Sequence, residues 1–416
     1  MKQNTTYKQT ELGLIPEDWE VKKLGEILKE YSLGGNYENN SEESGIPLIK
    51  MGNIGRGKID LSKIEYLPKN VNYSKNDILK YNDILFNTRN TLDLVGKVSI
   101  WKNEALFALY NSNLLRLYFK EDFVENNDYV NFQFNSEITL ANLKKYATGT
   151  TSVAAIYTKD LLKLKFLLPP LPEQKKIADC LSNWDSAIEK QNALINALTD
   201  RKKALMQQLL TGKKRLPGFS GEWKEVSFEK LLKQIKRKEE WDDKKLYKLL
   251  SVKRRSEGIF DREHLFGYQI AVKELMKVKK DDFLISKMQI VHGASALVND
   301  YFENYYVSGS YIVLNIRDKR ILNPEFLNYY SKQKLFYYQT YLSSYGVHIE
   351  KMTFDFKTFL KIEMTIPSFE EQTAIAEILA TADRELQLQK EKLVQLQQQK
   401  KGLMQVLLTG KKRLIN

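Results

Sequence analysis

The chain has 416 residues, of which 43% are hydrophobic and 28% charged, with 20 glycines and 9 prolines; this excludes a disordered or collagen-like polymer and suits two or three folded domains. Its 65 lysines and arginines against 52 acidic residues leave a net charge of +13, a balance that favours a polyanionic partner without demanding one. No stretch approaches the roughly 18 uninterrupted apolar residues of a membrane span, and the start carries no apolar signal segment, so a cytoplasmic chain with no membrane contact is expected.

In chain order, short apolar runs at 47–51, 84–86, 97–101 and 114–119, broken by Gly and Asn turns, predict a mostly β head. A helical piece is added at 128–134, and Lys50, Arg56, Lys58, Arg89 and Lys97 supply cations. Pro169, Pro170 and Pro172 exclude a preceding helix, and Glu173 suits a first helical turn. From Ile177 the spacing changes to alternate steps of four and three: Ile177, Leu181, Trp184, Ile188, Gln191, Ile195, Leu198, Lys202, Leu205, Leu209. This is a heptad seam. Its 33 residues, 177–209, give a rod of roughly 48 Å, longer than one turn of B-DNA at about 34 Å. Cys180, the one cysteine, excludes an internal disulfide and a thiolate cluster; within this helical pattern a small buried apolar role is expected. Gly212 falls where a left-handed cap residue belongs. The Lys213-Lys214-Arg215 that follows would complement the negative helix end, with phosphate contact as the alternative.

The second half repeats the first. Residues 223–232 parallel 19–28, 248–261 parallel 47–60, and Asp282-Phe283-Leu284-Ile285-Ser286 parallels Asp83-Ile84-Leu85-Phe86-Asn87. Asn323-Pro324 reads as the start of a helix over 325–330. Cations recur at Lys236, Arg237, Lys238, Lys253, Arg254 and Arg255. Residues 371–414 then match 173–216 at a constant offset of 198, with 21 of the 44 pairs identical. The seam returns as Ile375, Leu379, Ala382, Leu386, Gln389, Leu393, Leu396, Lys400, Leu403 and Leu407, with Gln and Lys interrupting it at the same places. Such polar residues disfavour wrong registers. The chain is therefore expected to be α+β: two mostly β heads with added helices, separated by two long antiparallel coiled-coil helices in a pseudo-twofold internal repeat. The expected divisions are 1–168, 169–215, 216–366 and 367–416. Duplication of one tool points to a bipartite target, with the helices as its ruler.

A catalytic centre is not evident. Three histidines, His264, His292 and His348, all lie in the second half, none at metal-ligand spacing. No phosphate-binding Gly-x4-Gly-Lys loop or Gly-x-Gly-x-x-Gly fingerprint occurs; Gly34-Gly35 and Gly52, Gly55, Gly57 read as turns. Asn323-Pro324-Glu325-Phe326 lacks the second proline of an adenine methyltransferase motif. Pro16, Glu20 and Lys22 are too tightly spaced for a metal nuclease. No catalytic residue, metal or cofactor is assigned to this chain.

Several of these segments resemble one family. Leu14-Ile15-Pro16-Glu17-Asp18-Trp19, Asp83-Ile84-Leu85-Phe86 with Val95-Gly96-Lys97, Leu168-Pro169-Pro170-Leu171-Pro172-Glu173-Gln174, and the repeated Leu-Leu-Thr-Gly-Lys-Lys-Arg-Leu are similar to the specificity subunit of type I restriction-modification systems, almost end to end. The resemblance implies a DNA-binding, non-catalytic subunit with two target recognition domains, each reading half of a split sequence in double-stranded DNA. It implies two methyltransferase subunits that use S-adenosylmethionine, and restriction subunits that use ATP and Mg, as partners. It places DNA contact at 87–97 and 148–152 in the first head, and at 286–295 and 343–348 in the second. The second loop has no arginine aligned with Arg89.

Physically, Arg89 and Arg56 could fork to guanine edges and Asn53, Asn87 and Asn90 could bridge adenine. Lys97, Lys253, Arg254, Lys287 and the hydroxyls of Thr88, Thr150, Thr151, Ser152, Ser286 and Ser344 suit phosphates, and Arg255 joins the DNA-binding candidates with neither a base nor a phosphate role assigned. Tyr345, His292 and His348 complete the candidate DNA-binding set. Against this stand two other readings: a coiled-coil interaction protein with no DNA role, or a DNA-modifying enzyme with an unrecognised site.

Overall fold

The computed structural model describes residues 6–43, 45–68, 70–346 and 348–415. The chain falls into two compact units, one of Met1–Asn192 with Glu391–Asn416, the other Ala193–Lys390. The boundary passes through both long helices, Leu171–Leu209 and Phe369–Leu407, each of 39 residues.

In the first unit, the strands Leu28–Leu33, Leu114–Phe119, Ile84–Asn87 and Val98–Ile100 form an antiparallel sheet in that order. Every residue of Ile84–Asn87 is buried because the sheet is covered on both faces. Ile84 and Phe86 enter one apolar core and Leu85 another, the alternation a pleated strand imposes. A second sheet sets Ile46–Ile49 between Leu109–Tyr110 and Glu65–Leu67. The helices Asn127–Phe134 and Glu137–Tyr146 follow, capped by the side chains of Asn126 and Ser136.

The second unit repeats this order with Leu232–Gln234, Tyr311–Ile316, Phe283–Ser286 and Ser295–Leu297. Its second sheet is larger, because Leu246–Val252 and Ile259–Phe266 form a long hairpin. Asn323 caps Pro324–Tyr330 by accepting from the amides of Glu325 and Phe326, as the Asn-Pro pair predicts. Each unit also buries the aspartate of its Asp-x-Leu motif against an arginine. Asp83 accepts from Arg116 at 3.0 Å, whereas Asp282 takes Arg237, which arrives from a different part of the chain.

The long helices contribute to both cores. In the first unit Ile177, Ala178 and Leu181, near the start of one helix, pack with Leu407 and Leu408, at the end of the other, and with Trp19. In the second, Leu209 and Leu210 pack with Ile375, Ala376 and Leu379. Start meets end in each unit, so the paired segments run antiparallel. All twenty seam positions are buried or half-buried. The two seam lysines do more than lay apolar stems in the interface: Lys400 Nζ is 2.7 Å from Asp185, and Lys202 pairs with Asp383, each aspartate lying on the other helix.

The repeated ends are explained by reciprocal bonds. Gln174 donates to the Phe123 and Pro169 carbonyls at 2.8 and 3.0 Å, and Gln372 to those of Ile321 and Pro367 at 2.9 and 3.0 Å. Gly212 and Gly410 have φ of 68° and 71°, the left-handed caps expected. The arginine beyond each cap does something the charge argument did not anticipate. Arg215 forks onto Glu371 with two bonds of 2.7 Å, and Arg413 bonds Glu173 and Asp18 at 2.7–3.0 Å. Each therefore clamps the first turn of the opposite helix instead of neutralising the end of its own, because the antiparallel pairing brings that glutamate within reach.

Candidate nucleic-acid interface

In the first head the segments 87–97 and 148–152 come together. Beyond Asn87 the chain forms the two-residue strand Arg89–Asn90, which pairs with Ala154–Ala155, itself paired with Thr148–Gly149. The amide of Leu92 donates to the Thr151 carbonyl at 3.1 Å and that of Ile156 to Thr88 at 3.0 Å. The result is a small three-stranded sheet whose exposed side includes Arg89, Thr150, Thr151 and Ser152. Thr150 and Ser152 hydroxyls lie 3.2 Å apart. Beside it is a cavity of about 290 Å³ lined in part by Thr88, Arg89, Ser112, Tyr157 and Thr158.

Other candidates in this head take structural positions. Asn53 is 3% exposed; it accepts from the Lys50 amide and donates to the Asp60 carbonyl, so it shapes its own loop and presents no edge outward. Asn87 is fully buried, its Oδ1 accepting from the Arg89 amide at 3.2 Å. Burial, not the choice of residue type, removes both from the exposed surface. Asn90 is half-buried and turns its Oδ1 to the Thr91 amide. Thr88 donates to the Asn113 carbonyl. Lys97 is half-buried. Arg56 is exposed and its Nη2 reaches the Asp93 carbonyl at 3.3 Å, tying its loop to 87–97.

The second head converges differently. Residues 286–295 form no added strand; they end the central strand at Ser286 and make a one-turn helix, Ile290–His292. The hairpin turn bearing Lys253, Arg254 and Arg255 docks on it, with the Arg255 amide 2.6 Å from the His292 carbonyl. Arg254 bonds Gln289 Oε1 at 2.6 Å and Glu350 Oε2 at 3.1 Å. His292 Nε2 lies 3.4 Å from Glu350 Oε1, outside hydrogen-bond alignment. Thus 253–258, 286–295 and 348–350 share one surface. Ser286 is buried, Lys287 donates to the Gly309 carbonyl, and Ser344 donates to that of Thr340. Tyr345 and His348 are exposed, as is Lys253, whose ammonium stands over the Phe260 ring. Val347, within the 343–348 segment, lies outside the described residues.

Sequence reasoning did not single out Gln289 or Glu350, which with Tyr337 hold this surface together. Their partners are 35 to 96 residues away, so no local pattern marks them. Among the described residues, no group of three or more His, Cys, Asp or Glu is arranged to hold a metal, and no helix is long and apolar enough to cross a membrane.

Two β-rich heads, each completed by paired long-helix segments and each offering a cationic, hydroxyl-bearing loop surface, define a duplicated recognition protein. Residues 16–200 and 222–398 match the family described as type I restriction modification DNA specificity domain, and the chain belongs to that family. It is a non-catalytic specificity subunit, giving a type I restriction-modification complex its DNA sequence specificity.

It is 29% identical to the putative type I restriction enzyme MjaX specificity subunit of Methanocaldococcus jannaschii, over 98% of this chain and 96% of that one. It is 33% identical to the MjaVIII specificity subunit of the same organism, over 52% of this chain and 51% of that one. Among solved structures it shares its fold with the type I S subunit from M. genitalium, at a TM-score of 0.58 and 14% identity, covering 98% of this chain and 97% of that one. The HsdS subunit of Thermoanaerobacter tengcongensis gives 0.50 and 16%, covering 96% and 98%.

Proposed function

We propose that each head reads one half of a bipartite site in double-stranded DNA, with 1–168 and 216–366 as the two target recognition domains. The long-helix segments 169–215 and 367–416 set the gap between the half sites and dock two methyltransferase subunits. The observation that carries this is the convergence, in each unit separately, of sequence-distant segments onto one exposed basic surface. Two different surfaces on one repeated framework are what two different half sites require. Apolar side chains left exposed on the long helices, Leu194, Ile378, Leu388 and Val394, offer area to a protein partner.

On this reading the chemistry belongs to the partners: methyl transfer from S-adenosylmethionine in the methyltransferase subunits, and ATP- and Mg-dependent work in restriction subunits. The test is to express the chain with its methyltransferase and sequence the modified genome. Replacing residues 1–165 by another family head should change one half of the modified motif and keep the other. Changes in both halves at once would defeat the modular reading.

A further inference from the structure

The second head lacks an arginine where the first has Arg89, and the hairpin Leu246–Val252/Ile259–Phe266 supplies two others. Its turn is closed by the Glu257 amide donating to the Arg254 carbonyl at 3.4 Å and the Lys253 amide to Gly258 at 2.9 Å. The central residues, Arg255 and Ser256, have φ of 59° and 56°. Hairpins usually place Asn-Gly there, because a Cβ is strained at positive φ. Neighbours hold that strain. The Arg255 and Ser256 amides donate to the His292 and Gly293 carbonyls at 2.6 and 3.0 Å, and Ser256 Oγ lies 2.7 Å from the Tyr337 hydroxyl. Gly293 is itself required: a Cβ there would sit 2.0 Å from that hydroxyl.

The two arginines end in opposite states. Arg254 is spent on Gln289 and Glu350, linking three segments. Arg255 is exposed, and its guanidinium has no hydrogen bond or ion pair among the described residues. Backbone strain maintained by surrounding bonds, at a residue whose planar cation is exposed and has no hydrogen bond or ion pair among the described residues, is the pattern of a functional position. We infer that Arg255 is the base-reading arginine of the second head, forking to a guanine edge, and that Arg254 is a positioning residue that fixes the turn beneath it. This rests on the reading that the second head faces DNA.

The experiment uses the chain assembled with its methyltransferase subunits, comparing the unchanged chain with Arg255→Ala, Arg255→Lys, Arg254→Ala and Arg254→Lys. The readouts are the modified motif and the affinity for DNA across salt. Arg255→Ala should relax one G·C position in one half of the motif, discrimination there falling roughly 5- to 150-fold, with the other half intact. Arg255→Lys should not restore it, since an ammonium cannot fork. Arg254→Ala should blur the same position, and Arg254→Lys should recover part of it through Glu350. Uniform weakening on all sequences by Arg255→Ala, with the salt slope shallower by about 0.9, would make Arg255 a phosphate contact and overturn the assignment. An unchanged motif overturns it as well. If the unchanged chain directs no bipartite motif, the proposed function falls and this inference with it.

Discussion

The two clamps between helix start and helix end are built from the same residues but differ in what surrounds them. Glu173 in the first unit receives Arg413, the Leu414 amide and the indole of Trp19, and Arg413 bridges on to Asp18. Among the described residues, Glu371 in the second receives only Arg215 from outside its own helix, and the indole nitrogen of Trp223 finds no hydrogen-bond partner. The side chain of Arg413 is 8% exposed and that of Arg215 is 28%. Repetition has preserved the fork and let its setting drift, so the first clamp is the drier and more connected one. The loops proposed to face DNA show the same drift carried further: one becomes a strand, the other a docking platform for a hairpin.

That contrast can be broken most forcefully at the glutamates. Glu173→Ala leaves Arg413 and the Trp19 indole without their partner and should destabilise the first unit by about 3–5 kcal/mol. Glu371→Ala should do less, because Arg215 regains water. Hydrogen exchange localised to residues 171–192 and 391–415, against 193–215 and 369–390, measures each; equal losses in the two units would contradict the difference.

The caps sharpen the comparison next. Alanine at Gly212 or Gly410 meets the same left-handed penalty of about 1–2 kcal/mol. At Gly410 the added Cβ also falls 2.3 Å from Pro16 Cδ, whereas at Gly212 its nearest neighbour is Trp223 at 3.3 Å. Gly410→Ala should therefore lower the melting temperature more than Gly212→Ala. The smallest effect concerns charge at the loops proposed to face DNA. Lys97→Ala, removing one cation, should weaken binding alike on every sequence and reduce the salt slope by about 0.9, seen in titrations of the assembled complex at several salt concentrations.

Much of the framework was readable beforehand because it depends on short-range regularity. The seam from Ile177 to Leu209, the Asn323-Pro324 start and the Gly212 and Gly410 caps all follow from spacing or backbone preference. The apolar run at 84–86 revealed a strand but not that both its faces are covered. The clamps escaped because Arg413 and Glu173 are 240 residues apart, and a basic run after a helix already had a sufficient local explanation. At the candidate interface the sequence marked the segments, but neither which of them meet nor the state of each side chain. Nothing local distinguishes Arg254 from Arg255; Gln289 and Glu350 do so after folding. Likewise Asn53 looks like any loop asparagine until its amide is seen closing the turn around Asp60.

The division of the long helices also bears on how the polypeptide is made. One unit is a continuous stretch, Ala193–Lys390, and can close once that stretch has left the ribosome. The other draws on both flanks, waiting for Leu407 and Leu408 to cover Ile177 and Leu181 and for Arg413 to reach Glu173. During synthesis the head that emerges first is thus the last to be finished. In the interval it exposes part of its greasy interior to chaperones, inverting the usual order in which leading domains mature ahead of trailing ones.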